Sequence, residues 1–471
     1  MPTPPRNAPR QKGQPSRPAN DAHALRVLSL RESRFTSFDG GVSVIARHQR
    51  PDRYRAVEAH PGENPVIPRG GGYSYSAASF GARSIVREMT RFNRILEFDA
   101  GRGTICVESG ATLGEILPFT ARHGYWLPVQ PGYPAITVGG CIAANVHGKN
   151  PHRSGAFLHS IDHLTLVHPL HGTVRLDPAE TPEPFHLTIG GYGLTGTILS
   201  ATLRLERLPG TRLTVERLPI GSLREGLDEV LRATEGSAFC YTWHDAAPFR
   251  KSFGAGFAYR GSFIPGGHQP EDLRARYRLL RPESRGRRGI SFWGGPWRSR
   301  LLNLAFRRLE SALPSRREIS LFDSLFPFAR RAEYFRLYGR GGLLEVQALV
   351  GRSATESWLE ALRNLILDGG VPAALVSMKL FRGNPKFLRF ERDGVCVTLN
   401  LPRTPSSLAL LRSIDDLFLS HRALPHLIKD SRVPRDVAEA CYPEMAHFRA
   451  ALRRWDPERR YRSELSERLG L

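Results

Sequence analysis

The sequence predicts an α+β fold in two domains, and three observations carry that prediction. Short strand-like runs broken by Gly and Pro fill the chain from Val42 to about Leu208, longer helical patterns mixed with strands follow, and Pro265 to Ser299 shows almost no periodicity. The change of character near residue 208 marks the domain boundary, and 471 residues suffice for two or three full-sized cores. A hydrophobic content of 41% with 24% charged residues is the balance of a soluble globular protein, which excludes wholesale disorder. No run approaches the roughly 18 apolar residues that a membrane-spanning helix needs.

Residues 1–22 are rich in Pro, Arg, Asn and Gln and lack an apolar h-region, so they read as a disordered basic tail and not as a Sec signal peptide. Residues 65–68 predict a short strand that empties into Arg69-Gly70-Gly71-Gly72-Tyr73-Ser74-Tyr75. Further short strands are predicted over 84–87, 95–98 and 104–108, the last by its polar–apolar alternation. Thr112 with Glu115 forms a capping box that opens a helix running to about Arg122. Residues 164–167 and 173–176 bracket a His-Pro-Leu-His-Gly turn and predict a hairpin, and 197–205 a further strand. Helical periodicity marks 223–234 and 357–367. The Gly-, Pro- and Arg-rich stretch 265–299, with Trp293 and Trp297, is long enough to be a mobile lid. Its arginines and tryptophans suit an interface where anionic headgroups meet acyl chains.

Lys and Arg number 67 against 45 Asp and Glu, a formal charge of +22. Such an excess points to a phosphate-bearing ligand, an anionic membrane surface or nucleic acid, without choosing among them. Only six of the basic residues are lysines, at 12, 149, 251, 379, 386 and 429, which makes each one informative. The five cysteines, 106, 141, 240, 396 and 441, are scattered with no CxxC pair, arguing against a disulfide framework or zinc site and for a cytoplasmic chain.

Three Gly-rich turns carry the chemistry. The first, 69–74, can gather backbone N–H groups around a phosphate, although it matches neither the Walker nor the GxGxxG spacing. The second runs from Pro131-Gly132 through Thr137-Val138-Gly139-Gly140 to His147-Gly148-Lys149-Asn150, small residues that let a flat ligand press on backbone beside a titratable group and a cation. The third, Gly190-Gly191-Tyr192-Gly193 with Gly196, leads into the strand of Ile198. Each is fed by a short strand, which suggests one extended cofactor wrapped by one domain.

Together these segments resemble the FAD-binding domain of the vanillyl-alcohol-oxidase-type (PCMH) flavoproteins, and within them the polyprenyl-phosphoribose oxidase branch. Met378-Lys379-Leu380-Phe381, residues 428–432, Asp456-Pro457 and Arg468-Leu469 extend the likeness from about Ser37 to the C-terminus. The resemblance implies an FAD-binding domain over 23–208, a sheet-plus-helices substrate (cap) domain over 209–422 with its lid at 265–299, and a C-terminal return, 423–471, to the first domain. Many relatives attach FAD through a histidine where this chain has Tyr73, so a non-covalent FAD is implied. No metal is implied.

Residue by residue, the resemblance assigns FAD contacts to Arg69, Gly70, Gly71, Gly72, Tyr73, Ser74, Tyr75, Gly132, Thr137, Val138, Gly139, Gly140, His147, Ile198, His426 and Lys429. Substrate contacts fall to Lys149, Lys379, Gln347, Glu345, Cys396 and Leu325, with Lys429 and His147 as catalytic residues and candidate bases. The chain departs from the branch on the substrate side: Glu345 replaces a glutamine, His426 a tyrosine and Gly394 an asparagine, and 325–327 lack a tyrosine and a histidine. The implied activity is oxidation of a secondary alcohol on a sugar, a polyprenyl-phosphoryl pentose, as the first half of an epimerisation. The implied partners are a lipid-phosphate sugar, an NAD(P)-dependent short-chain reductase and the periphery of an anionic membrane. A sugar-lactone or alditol oxidase using oxygen shares the cofactor domain, and a basic nucleic-acid-binding protein is the reading from another class.

Overall fold

Alternation of side chains decides which strands form and which face they bury. The computed structural model describes residues 30–471, apart from 60–61, 234–235, 267–272, 274–290, 330–332 and 340. The basic tail and most of the 265–299 segment lie outside the described residues.

The first domain holds two sheets. Strands β1 (Arg31–Thr36), β2 (Ser43–Gln49), β3 (Val66–Arg69) and β4 (Ile85–Glu88) form one in the order β1-β2-β4-β3. Strands β5 (Ile95–Asp99), β6 (Thr104–Glu108), β8 (Ile161–His168), β9 (Gly172–Leu176) and β10 (Thr197–Arg204) form an antiparallel sheet ordered β5-β6-β10-β8-β9. A ribbon of β7 (Tyr125–Trp126) and β11 (Glu206–Arg207) closes the domain. The helix Leu113–Ala121 starts at the predicted cap, where Glu115 accepts a hydrogen bond from the Thr112 backbone N–H at 2.9 Å. Arg87, on β4, is fully buried and donates to the Val57 carbonyl at 2.8 Å, with the Thr197 hydroxyl of β10 at 3.4 Å, which ties the two sheets together.

The second domain is one eight-stranded sheet. Its strands are β12 (Arg212–Ile220), β13 (Phe239–His244), β14 (Gly256–Phe263), β15 (Arg316–Ser320), β16 (Leu343–Gly351), β17 (Leu375–Phe381), β18 (Gly394–Pro402) and β19 (Leu424–Pro425). They run in the order β15-β12-β14-β13-β17-β18-β16-β19. Val346, Ala348, Val376, Met378, Val397 and Leu399 alternate onto one face and are buried there. The helix Thr355–Gly369 offers Trp358, Leu359, Leu362 and Ile366 to the same core, and the helix Pro405–Ser420 offers Leu410, Leu411, Ile414 and Phe418. With one face spent on this core, the other is left for the site.

After Pro425 the chain leaves the large sheet and crosses back. The backbone of Val66 pairs with Arg460 at 2.8 Å and Arg462 at 3.2 Å, covering the free edge of β3, and Leu465 donates to Ala77 at 3.1 Å. The Trp455 indole N–H donates to the Thr195 carbonyl at 2.8 Å. Tyr461 is buried against Val66 and Ile85, with its hydroxyl 3.2 Å from the Val167 carbonyl. Tyr461→Ala should therefore cost about 3–5 kcal/mol, the usual penalty for deleting a packed aromatic ring. A lowered urea midpoint for the first domain would show this; an unchanged midpoint would mean that the returning segment is dispensable.

Candidate active site

The free face of the second-domain sheet carries a polar row. In the antiparallel register Glu345 lies opposite Asn400, Gln347 opposite Thr398 and Lys379 opposite Cys396. Period-two alternation puts all six on the face that the helices do not cover. The loop after β19 brings two further groups, His426 and Lys429, back over this row. The Lys429 ammonium stands 3.0 Å from Glu345 Oε1 and 4.2 Å above the Tyr75 ring. Gln347 Nε2 donates to the same Glu345 oxygen at 2.9 Å, and its Oε1 lies 3.2 Å from His147 Nε2. A continuous polar chain thus runs Lys429–Glu345–Gln347–His147 and crosses from the second domain to the first.

Lys379 differs from Lys429 in having no hydrogen-bond or ion-pair partner among the described residues. Burial, then the neighbouring Lys429, lowers its pKa. Lys379 is partly buried, and the charge of Glu345 acts on it without direct contact. Cys396 beside it is buried, and burial pushes its thiol up to about 12. Burial disfavours its thiolate, the form in which a cysteine acts as a nucleophile.

Beside this row, in the first domain, lies a cavity open to solvent. Its walls come from all three Gly-rich turns: Arg69, Gly70 and Ser74 from the first, Thr137, Gly139 and Gly140 from the second, Gly193 and Gly196 from the third, with Ile198 and Ile428 closing it. Sequence reasoning names most of these but misses Ser109, Met89 and Ala78, which also line it. The one available signal is Ser109-Gly110, a small pair directly after the alternating strand β6.

Comparison with known proteins matches residues 54–177 to the FAD binding domain family. Over 88% of its length the chain is 28% identical to a decaprenylphosphoryl-β-D-ribose oxidase of Mycolicibacterium smegmatis, covering 91% of that protein. It is 30% identical to an uncharacterized protein in the mprA 5′ region of Streptomyces coelicolor, over 76% of this chain and all of the relative. The chain belongs to the PCMH-type FAD-binding oxidoreductases. It is an FAD-dependent oxidoreductase. A mitochondrial L-galactono-1,4-lactone dehydrogenase of rice is 28% identical over 31% of the chain and 25% of its own length.

The cavity fits FAD in two respects. Backbone approaches are too close for side chains: a Cβ on Gly70 would stand 2.1 Å from the Thr137 hydroxyl, and one on Gly139 3.0 Å from Ser109 Cβ. The Ser109 hydroxyl, on the cavity wall, is buried without a hydrogen-bond partner among the described residues. The Thr137 hydroxyl accepts from the Gly140 N–H at 3.3 Å and so holds the second turn in shape.

Several predicted contacts are placed differently from the sequence reading. Val138 turns its side chain fully into the core and is absent from the cavity wall. Gly132 sits against Pro327 and Phe328. Gly71 and Gly72 are required by close backbone and Arg69 neighbours, Gly72 with φ +75°. Tyr73 packs on Tyr133 at 4.9 Å, and Tyr75 on Phe38 at 4.9 Å. Lys149 is separated from the other two lysines: its ammonium donates to the Ser324 carbonyl at 2.5 Å and lies 5.4 Å over Tyr241. It borders, with Leu325, a smaller recess. Trp293, read from sequence as an interfacial residue, is buried near Tyr338, whereas Trp297 is exposed.

His147 is a poor base. Burial, then the charges of Lys379 and Lys429, push its pKa to about 3, and both ring nitrogens face oxygens, Gln347 Oε1 at 3.2 Å and Gly148 O at 3.0 Å. A neutral ring carries one N–H and can donate to only one of these two oxygens. Because the folded value lies below the unfolded value of about 6.5, the chain takes up a second proton only on unfolding; the stability is full above about pH 6.5 and falls as pH drops toward 3. In His147→Asn the urea midpoint should lose less with acidification, by up to one proton's linkage, and an unchanged slope would contradict the assignment. Gly70→Ala should release flavin by displacing Thr137; full flavin content in the purified variant would refute the close approach.

Proposed function

We propose that this oxidoreductase oxidises a secondary alcohol on a sugar that carries a lipid phosphate, a polyprenyl-phosphoryl pentose whose 2′-hydroxyl becomes a ketone. The observation that carries the reading is the pair of lysines at the polar row, Lys429 paired with Glu345 and Lys379 without a hydrogen-bond or ion-pair partner among the described residues. The likeness to a decaprenylphosphoryl-ribose oxidase over most of both chains supports it. FAD, when bound, supplies the hydride acceptor. The chain's own residues do the rest. Lys429 holds the hydroxyl oxygen over the Tyr75 ring, and Lys379 meets the sugar's remaining polar groups. As the O–H bond breaks, the proton passes to the Glu345 carboxylate, the acceptor nearest Lys429. Gln347, fixed between Glu345 and His147, keeps that carboxylate aimed. The keto sugar then leaves as substrate for an NAD(P)-dependent short-chain reductase, which completes an epimerisation. With Tyr73 packed among aromatic rings and no histidine in its place, FAD is held without a covalent bond.

Anaerobic mixing with a prenylphosphoryl ribose should bleach the flavin band, whereas soluble polyols and lactones should leave it. Bleaching and peroxide release by the soluble compounds alone would favour a lactone or alditol oxidase instead. Acid precipitation should release free FAD. Glu345→Gln should keep its flavin and lose about 10²–10⁴-fold in kcat, the range for a lost general base. Loss of less than threefold would remove Glu345 from the proton path. Lys429→Met should likewise stay yellow and resist reduction by substrate.

A further inference from the structure

The helix Pro296–Ala312 is built inside out. Its buried stripe is polar: Ser299 and Asn303 are almost wholly buried, and Asn303 Nδ2 donates to Asp245 Oδ1 at 2.7 Å. Phe306 and Glu310 continue that stripe, against Trp243 at 4.5 Å and the Tyr259 hydroxyl at 3.3 Å. At 3.6 residues per turn the opposite stripe is Trp297, Leu301, Leu304 and Arg308. Trp297 is 65% exposed and Leu301 64%. Phe292, Leu309 and Leu313 flank them, so six of the twelve large hydrophobic residues exposed among the described residues fall within 292–313. A soluble helix places these residue classes the other way round.

The charges say what covers the face. Arg298, Arg300 and Arg308 are exposed beside the apolar stripe, and none forms an ion pair among the described residues. Arg300 instead lies over the rings of Phe249 and Trp297, at 4.7 and 5.2 Å. Apolar side chains with Trp at one end and arginines along the flanks match an acyl–headgroup boundary carrying negative charge. The helix also starts at the polar row's doorstep: buried Trp293 lies 6.0 Å from Tyr338, whose hydroxyl is 2.8 Å from that of Tyr334, and Asn400 Nδ2 donates to Tyr334 at 2.9 Å. No helix among the described residues is long and apolar enough to cross a membrane, so this surface would lie on a bilayer.

We propose that the outer face of residues 292–313 is an interfacial binding surface for an anionic lipid bilayer, which seats the protein with the polar row beside the membrane. The proposal rests on the helix and not on the identity of the substrate. Full-length holoprotein should co-sediment with vesicles of phosphatidylglycerol and phosphatidylcholine more than with phosphatidylcholine alone. The triple variant Trp297→Ser, Leu301→Ser, Leu304→Ser should bind at least about tenfold more weakly, with flavin content and melting midpoint unchanged. Arg298→Glu with Arg300→Glu should lose the preference for anionic vesicles, a loss the basic tail cannot cause because it is intact in every variant. Equal binding of the triple variant would overturn the proposal, as would absence of binding by the parent. A parent dimer that the triple variant converts to monomer, with vesicle binding unaltered, would assign the face to a second copy of the chain and overturn it too.

Discussion

The Lys429–Glu345 ion pair, 3.0 Å long, joins the returning C-terminal segment to the sheet of the second domain. Glu345 is only 9% exposed, so a charge there requires a cation beside it. That cation comes from a loop that has left the sheet after β19 and is returning to the first domain. A dense set of contacts fixes the loop: Arg432 grips Asp415 through both terminal nitrogens, at 2.6 and 2.8 Å, and Ser431 donates to buried Asp39, which Arg403 also meets at 2.6 Å. Gln347 then passes the constraint from Glu345 to His147 of the first domain. Polar row, returning segment and cavity are held in one geometry by groups that could not be buried singly.

Local signals in the sequence were enough to place many elements, because their causes are local. The Thr112–Glu115 cap, the alternation of β6 and the hairpin of β8 and β9 each depend on a few neighbouring residues. The scarcity of lysine drew the eye to Lys149, Lys379 and Lys429, yet it could not sort them. Strand register and the path of the loop after β19 bring the last two together, while Ser324 and Tyr241 hold the first aside. Glu345 read as a departure from the branch it resembles, and only the structure shows it paired with Lys429. Likewise, the lone serine Ser109 carries no sequence motif, but the fold aims it into the cavity.

The excess positive charge also takes on a location. The cavity fitted to FAD is lined chiefly by glycine, alanine and serine, with Arg69 its only charged wall residue among those described, and that side chain lies over Phe35 and Phe80. Binding a pyrophosphate there would draw on backbone N–H groups more than on side-chain charge. Many surface arginines are matched by carboxylates, among them Arg204 with Asp162 and Arg454 with Glu183. The arginines of the helix Pro296–Ala312 stand beside exposed leucines and a tryptophan, an arrangement suited to a surface that is both oily and anionic.

If the polar row of the second domain and the cofactor cavity of the first act as a single site, a ligand held on the row must perturb the flavin. The most direct test is the flavin absorbance spectrum on titration with a prenylphosphoryl 2-deoxyribose, which lacks the hydroxyl to be oxidised. A single site gives a saturable shift of the long-wavelength flavin band in the parent protein and its loss in Lys379→Met. Binding of the analogue by equilibrium dialysis with no change in the flavin band would contradict it, because the ligand would then sit away from the cofactor.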